Sequence, residues 1–513
     1  MSTDILGALL DACDRTPDAP AMTLGRRTLT FGQLRDRING IASELERRGL
    51  VPGDRMLFSV RPGLDGICLA LGTIAAGGTI VFADPGAGEA MFRARAGLAQ
   101  PRWVAAESLL YAASSGPLRG IARRRGLELP DYGTVVPDAR HIYAGPWLPG
   151  VPRGAISLRS LSQGGSSPKG GSSSSRSHPR DPVGEVSTSS TRLVTEALII
   201  FTSGTTDAPK AVVHSRNSLG TGLADFAEAV GFVPGERVLT DQLMVGIPAL
   251  IAGAHWELPP PGLDPGASPE KYLALLPRAD VLFAVPAALD ALLKKLPSDP
   301  RLRALLIGGA PVLRPLLERV RTQLPDTTVR AIYGMTEILP VAIANGADKL
   351  AYEGRGDYVG RPMSHVTARV IEGELVVSGE GLASYLGEPP LIELRTGDLA
   401  RLEGDRLILD GRSKDMFIRG TTNVYPGLYE PVIAGLPGIS DVAMVGVPDP
   451  IGDDTIVLAI VASDGFDESA LWAALPGLID AAVMPDRIVV VTELPRRGRS
   501  SKLDRAALTE LVS

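Results

Sequence analysis

A multidomain α/β protein is the fold class that this sequence predicts, on three observations. The chain has 513 residues, 44% of them apolar, which is more than one ordinary core accommodates. Continuous apolar runs alternate with helical patterns through most of it, as expected of strands covered on both faces by helices. Beyond Gly373 the pattern turns to short strands, and the stretch past Arg412 has the length of a separate small domain.

From Leu29, the segment LTFGQLRDRINGIASELERRGL places Leu34, Ile38, Ile41 and Leu45 on one helical face, and Gly49 supplies a stop. The runs MLFSV, TIVFAD, ALIIFT, VLFAV, RALLIGG and VRAIYG read as buried strands. Gly66 to Ala83 is the most membrane-like stretch, but Gly72 and the Gly77, Gly78 pair interrupt it and Asp65 and Asp84 flank it. A buried helix, a turn and a buried strand are expected there, not a membrane span. From about Val151 to Thr191 the composition shifts to Ser, Gly, Pro and Arg without apolar periodicity, which predicts a disordered insertion. GELVVSG, LARLEGDRLILDGR and MFIRG then read as short strands separated by turns.

The net charge of -6 removes the long-range attraction on which a dedicated nucleic-acid binder relies. Cys13 and Cys68 stand far apart, so neither a disulfide framework nor a zinc site is indicated, and a reducing cytoplasm fits best. Met1 to Leu10 lacks a positive start and carries Asp4, which argues against a signal peptide.

Chemistry concentrates first in FTSGTTDAPK, from Phe201 to Lys210, directly after a strand-like run. Small hydroxyl residues around Gly204 let backbone amides and side-chain hydroxyls approach a phosphate chain, and Lys210 adds a point charge. The spacing is not that of the common G-x-x-x-x-G-K-[ST] loop. Further on, YGMTE ends on Glu337, a hard carboxylate suited to Mg²⁺. The same residues also suit a strand end running into a helix with an acidic first turn.

These segments resemble, in order, the signatures of the adenylate-forming superfamily, which includes acyl-CoA synthetases, adenylation domains and luciferases. FTSGTTDAPK is similar to the family's TSGTTGxPKG, matching at Thr202, Ser203, Gly204, Thr205, Thr206, Pro209 and Lys210 and departing at Asp207 and Ala211. YGMTE looks like YGxTE, which implies that Tyr333 packs on adenine, Thr336 meets the α-phosphate and Glu337 holds magnesium. Arg395-Thr-Gly-Asp398 resembles the TGD segment, whose aspartate accepts hydrogen bonds from the ribose hydroxyls; Arg412 then corresponds to a second ribose contact and Lys414 to the hinge between domains. Gly420 matches a glycine bordering the pantetheine tunnel of CoA-using members, and Glu430 an acidic residue of the next helix. PRRGRSSK resembles the C-terminal PxxxxGK, with Ser501 where glycine is common and Lys502 as the catalytic lysine.

The resemblance implies residues 1–412 as a nucleotide-binding region of two α/β subdomains plus a small β-barrel unit, and 413–513 as a small mobile α+β domain. It implies activation of a carboxylic acid, fatty acids foremost, with ATP and Mg²⁺, and transfer of the acyl group to CoA. An alternative is a β-lactone synthetase that closes a β-hydroxy fatty acid without CoA, a branch that FADPGAG and YGMTEILPVA also resemble. A nucleotide-binding regulator and a luciferase-like oxygenase are rivals, although retention of Glu337 and Lys502 favours an enzyme. One departure concerns the acyl pocket: the P-x-x-H-x-x-G type segment reads DQLMVGIPALIAGAHWELPP, with Gly246 but no histidine before it. His255 is better read as a structural histidine than as its substitute.

Overall fold

A computed structural model of the chain describes residues 4–83, 85–87, 89–124, 129–163, 196–202, 210–297, 301–412, 415–419, 422–448, 454–479, 483–497 and 501–513. The fold is mixed α/β, with a large N-terminal and a small C-terminal domain. Its contacts divide it into two compact units, one of Met1–Phe31, Ser218–Ser384 and Glu388–Ser513, the other of Gly32–Asn217 and Tyr385–Gly387.

In the second unit, strands Lys210–Ser215, Glu196–Thr202, Thr79–Phe82, Arg55–Ser59, Trp103–Glu107, Arg140–Ala144 and Ile156–Ser157 lie side by side in that order. All neighbours are parallel except the first two. Met56, Leu57, Ile80, Val81, Val104 and Ile199 are at most 1% exposed, which is why these strands read as unbroken apolar runs. The helix Phe31–Arg47 buries Leu34, Ile38, Ile41 and Leu45 completely. It ends as expected: Gly49 adopts φ +90°, and the Leu50 amide donates to Leu45 O at 2.9 Å. Gly66 to Ala83 forms the tail of a helix Leu64–Ala75, a turn and the strand Thr79–Phe82. Among the described residues no helix is long and apolar enough to cross a membrane.

Part of the stretch that composition assigns to the insertion is regular structure. Ile156–Ser157 pairs with Ile142 and Tyr143, and a helix Leu158–Gln163 comes next, with Leu158 and Leu161 at 4% and 0% exposure. Three apolar anchors, Ile156, Leu158 and Leu161, among serines, an arginine and a glutamine suffice to dock this piece, too few to register as a period. The remaining residues of the expected insertion, 164–191, lie outside the described set.

In the first unit a thirteen-stranded sheet joins two styles of pairing. Thr328–Met335, Ala304–Gly308, Val281–Ala284, Arg237–Leu239, His255–Leu258 and Pro20–Leu24 are parallel neighbours in that order, and Arg27–Thr30 closes the edge as a hairpin with Pro20–Leu24. On the other side of Thr328–Met335 every pairing is antiparallel, through Ile338–Asn345, Asp357–Pro362, Arg406–Arg412, Leu394–Glu403, Glu374–Ser378 and Thr367–Ile371. These antiparallel strands share one core of Ile338, Val341, Val359, Leu375, Val377, Ala400 and Leu407.

The C-terminal part of this unit has its own sheet, Ile439–Pro448 antiparallel to Asp454–Ala462 and the latter parallel to Arg487–Val491. Alternation covers both faces: Val442 and Met444 pack with Tyr429 and Ile433 of the helix Pro426–Ala434, while Ala443 and Val445 pack with Leu508 of the helix Arg505–Val512.

His255 has the structural role expected of it. It is 6% exposed, and its Nε2 lies 2.8 Å from Thr23 Oγ1, which lies 2.7 Å from Thr28 Oγ1. Burial first, and then the charge of Arg237, lower its pKa from 6.5 to about 4. The unfolded chain therefore binds this proton more readily than the folded one, so the contribution is complete above pH 6.5 and is lost as pH falls towards 4. Acidification from pH 7 to 5 should lower the urea midpoint, and His255→Gln should flatten that dependence; an equal slope in the variant would remove His255 as a cause. Separately, Leu161→Ala should cost about 2–5 kcal/mol in urea unfolding.

Candidate active site

The residues Tyr333 to Glu337 close a β-hairpin and do not lead into a helix. Met335 stands opposite Ile338, so Thr336 and Glu337 form the two-residue connection, and the register shifts between Tyr333 and Met335. Gly334 sits at that bulge, where a Cβ would lie 3.2 Å from Leu339 and 3.3 Å from Pro340. The Ala383 amide donates to Glu337 O at 2.8 Å and steadies the turn from the neighbouring segment.

Tyr333 projects from this hairpin to Asp398, whose Oδ2 accepts from Tyr333 Oη at 2.5 Å. Asp398 is 2% exposed. It lies at a second irregularity, where the ladder shifts between Glu374 and Val376 and Gly397 takes φ +73°. Thr396 Oγ1 donates to Leu375 O at 2.9 Å and accepts from the Asp398 amide at 3.1 Å, while the Gly397 amide donates to Glu374 Oε1 at 2.9 Å. The Thr-Gly-Asp segment is thus a pinned kink within a strand. Arg412 stands directly opposite Asp398 across the ladder.

Of the phosphate-loop residues, Thr202 and Lys210 are paired across adjacent antiparallel strands. Ser203, Gly204, Thr205 and Thr206 lie outside the described residues, as do Lys414 and Gly420. Lys210 is exposed, with Nζ 5.3 Å from the centroid of the Tyr385 ring.

Lys502 is carried by a short ribbon, with Arg497 opposite it. Ser501 holds φ +48°, the left-handed region that favours glycine, which accounts for the glycine usual at this position of the motif. Three residues on, Arg505 donates to both oxygens of Glu430 at 2.8 Å and to Met444 O at 2.9 Å. Glu430 therefore anchors the segment that comes after Lys502.

No group of three or more His, Cys, Asp or Glu suited to a metal occurs among the described residues. A single carboxylate at a turn, as Glu337 provides, fits a magnesium ion that takes its other ligands from phosphate oxygens and water. Gly246 is explained by packing: a Cβ there would lie 2.1 Å from the Trp256 indole, whose Nε1 donates to Thr240 O at 2.8 Å.

The motifs pass over one polar pair in the same unit. His365 Nδ1 lies 2.6 Å from Asp225 Oδ2, on the helix Arg216–Val230, and the two residues stand 140 positions apart with no pattern to link them.

Comparison with known proteins places these features in a family. Residues 9–385 match the family model for AMP-binding enzymes and residues 429–502 that for the AMP-binding enzyme C-terminal domain. The chain is 27% identical to a salicylyl-CoA synthase / salicylate adenylyltransferase of a Streptomyces species, over 96% of this chain and 91% of that one. It is also 27% identical to a 2-succinylbenzoate–CoA ligase of Listeria monocytogenes, over 61% of this chain and 70% of the relative. Among solved structures, an amide bond synthetase from Marinactinospora thermotolerans superposes with a TM-score of 0.76 at 22% identity, covering 99% of both chains. ATP-bound MatB from Rhodopseudomonas palustris does so with 0.74 at 23%, covering 100% of this chain and 99% of that one. These two likenesses establish the fold. With the family models spanning most of its length, the chain belongs to the AMP-binding enzyme family, the adenylate-forming superfamily that its motifs resemble, and is an adenylate-forming ligase.

Proposed function

We propose that this chain activates a carboxylic acid as its acyl-adenylate and transfers the acyl group to the thiol of CoA. The observation that carries this reading is the bond between Tyr333 and Asp398. It joins an aromatic ring suited to stack on adenine to a carboxyl group suited to accept from ribose hydroxyls. Arg412, opposite Asp398, is the candidate for the further ribose contact.

In the first step a carboxylate oxygen of the acid attacks the α-phosphorus of ATP, the bond to the bridging β-oxygen breaks, and pyrophosphate leaves. The protein contributes mainly position and opposing charge. Thr336 is assigned to the α-phosphate, and Lys502 to the oxygens of the carboxylate and α-phosphate. Thr202, Ser203, Gly204, Thr205, Thr206 and Lys210 are assigned to the phosphates that depart. Glu337 would hold a magnesium ion, whose charge offsets that gathering on pyrophosphate. In the second step the sulfur of CoA attacks the acyl carbon, the bond to AMP breaks, and the thiol proton passes to solvent. Lys414 is assigned to the hinge at the 412/413 domain boundary, and Gly420 to the wall of the pantetheine passage.

Relatives named as CoA ligases support CoA as acceptor. The likeness to an amide bond synthetase makes an amine the acceptor to test beside it, and the β-lactone reading makes the substrate's own hydroxyl a third. AMP release should be measured with benzoates, fatty acids and β-hydroxy fatty acids, each with MgATP, with and without CoA. Sustained turnover should require CoA; lactone formation without it, or amide formation only with an amine, would replace the CoA assignment. Lys502→Ala should reduce adenylation about a hundredfold to a thousandfold, the scale of one lost electrostatic donor. Reaction from a pre-made acyl-adenylate should be spared, and adenylation at the wild-type rate would show that Lys502 is misassigned.

A further inference from the structure

His365 and Asp225 form a buried pair with one unused end. The His365 side chain is 3% exposed and that of Asp225 14%. Asp225 Oδ2 accepts from both the ring Nδ1, at 2.6 Å, and the backbone amide of His365, at 3.1 Å. Burial raises the Asp225 pKa, but hydrogen bonds from His365 and Ser364 outweigh it and leave the group below its ordinary value. With the Asp225 carboxylate on Nδ1, the ring donates there, and its other nitrogen, Nε2, is turned away from that carboxylate.

His365 Nε2 is buried and has no hydrogen-bond partner. Thr221 Oγ1 is also buried and unpartnered. Thr221 precedes Asp225 by one helical turn, so both side chains occupy the same helix face. A structural fastener between this helix and the segment around His365 accounts for Nδ1 and Asp225. It leaves two polar atoms unexplained, each costing roughly 1–3 kcal/mol when buried without a partner.

Their position gives them a use. A Cβ on Gly222 would lie 3.6 Å from His365 Nε2 and 2.3 Å from Leu339 O, and one on Gly381 would lie 3.0 Å from Nε2. Leu339 is two residues beyond Glu337, and Ala383, two beyond Gly381, donates to Glu337 O at 2.8 Å. The imidazole therefore lies near the strand that leaves the Thr336, Glu337 turn, with Gly222 against both Nε2 and Leu339 O.

Resting on the acid-activating reading above, we propose that His365 and Thr221, braced by Asp225, form a polar subsite of the acid pocket. The subsite binds a hydroxyl or amino group carried by the acid, which hydrogen-bonds to His365 Nε2 and to Thr221 Oγ1. Hydroxy- or amino-substituted acids are then the substrate class. Asp225 is a positioning residue, which holds the ring so that Nε2 faces the substituent.

ATP–pyrophosphate exchange with matched acids tests this: benzoate against its hydroxy and amino isomers, and octanoate against β-hydroxyoctanoate. The wild-type protein should favour the substituted member of a pair at least about tenfold in kcat/KM. Thr221→Val, and His365→Asn, which keeps an amide near the Nδ1 position and deletes Nε2, should each erase most of that preference. Exchange with the unsubstituted member should stay within about twofold, a split that loss of a mere fastener would not produce. Thr221→Val should also leave the Tm of the unliganded protein unchanged or raised, since it removes an unpaired buried hydroxyl. Exchange without preference, preference that survives both variants, or a Tm several degrees lower in Thr221→Val would overturn the subsite while leaving acid activation standing. Exchange with none of the acids would instead overturn the acid-activating reading, and the subsite with it.

Discussion

The hydrogen bond from Tyr333 to Asp398 is the constraint around which the nucleotide-facing part of the first unit is arranged. Their strands are four steps apart in the sheet, a separation of about 19 Å if the sheet were flat. No tyrosine spans that distance, so the antiparallel strands must curl until the two ends of the series meet. The shared core of Val341, Leu375, Val377 and Leu407 fills the inside of that curl. The bulge at Gly334 and the kink at Gly397 lie beside the two bonded residues, where a regular ladder would not turn both side chains inward. Curvature, bulges and the candidate adenosine contacts are thus one geometric problem with one solution.

Much of this fold is legible in the sequence where a local period reports on burial. The helix Phe31–Arg47 announces itself through four apolar residues on one face, and the buried parallel strands through runs such as TIVF and ALLIG. The piece from Ile156 to Gln163 is not legible, because Ile156, Leu158 and Leu161 are diluted by polar neighbours and act through strand pairing and docking. The edge hairpin of Pro20–Leu24 and Arg27–Thr30 escapes for a related reason: its principal partner, His255–Leu258, lies more than two hundred residues away.

The candidate site divides along the same line. Tyr333, Glu337, Asp398 and Lys502 stand out because each belongs to a short segment of distinctive composition. The contacts that position them belong to no motif: Thr396 to Leu375, Ala383 to Glu337, Arg505 to Glu430. His365 and Asp225 are the extreme case, since neither residue is unusual in its own neighbourhood and only folding reveals the pair. Gly246 carries the opposite lesson. A glycine matched to a functional segment proves to be required by the indole packed against it.

The pairing of Met22 with Trp256 bears on how the chain is made. The other unit is nearly continuous, from Gly32 to Asn217, and its central sheet can assemble while the ribosome is still translating the C-terminal half of the chain. The hairpin of Pro20–Leu24 and Arg27–Thr30 emerges before that unit, yet it must wait until His255–Leu258 appears, which at 5–20 residues per second is roughly ten seconds or more. Throughout that interval Met22, fully buried at the end, lacks the strand neighbour Trp256. Chaperone demand and aggregation during synthesis should therefore concentrate on the first thirty residues, even though the finished protein shows them as an orderly edge.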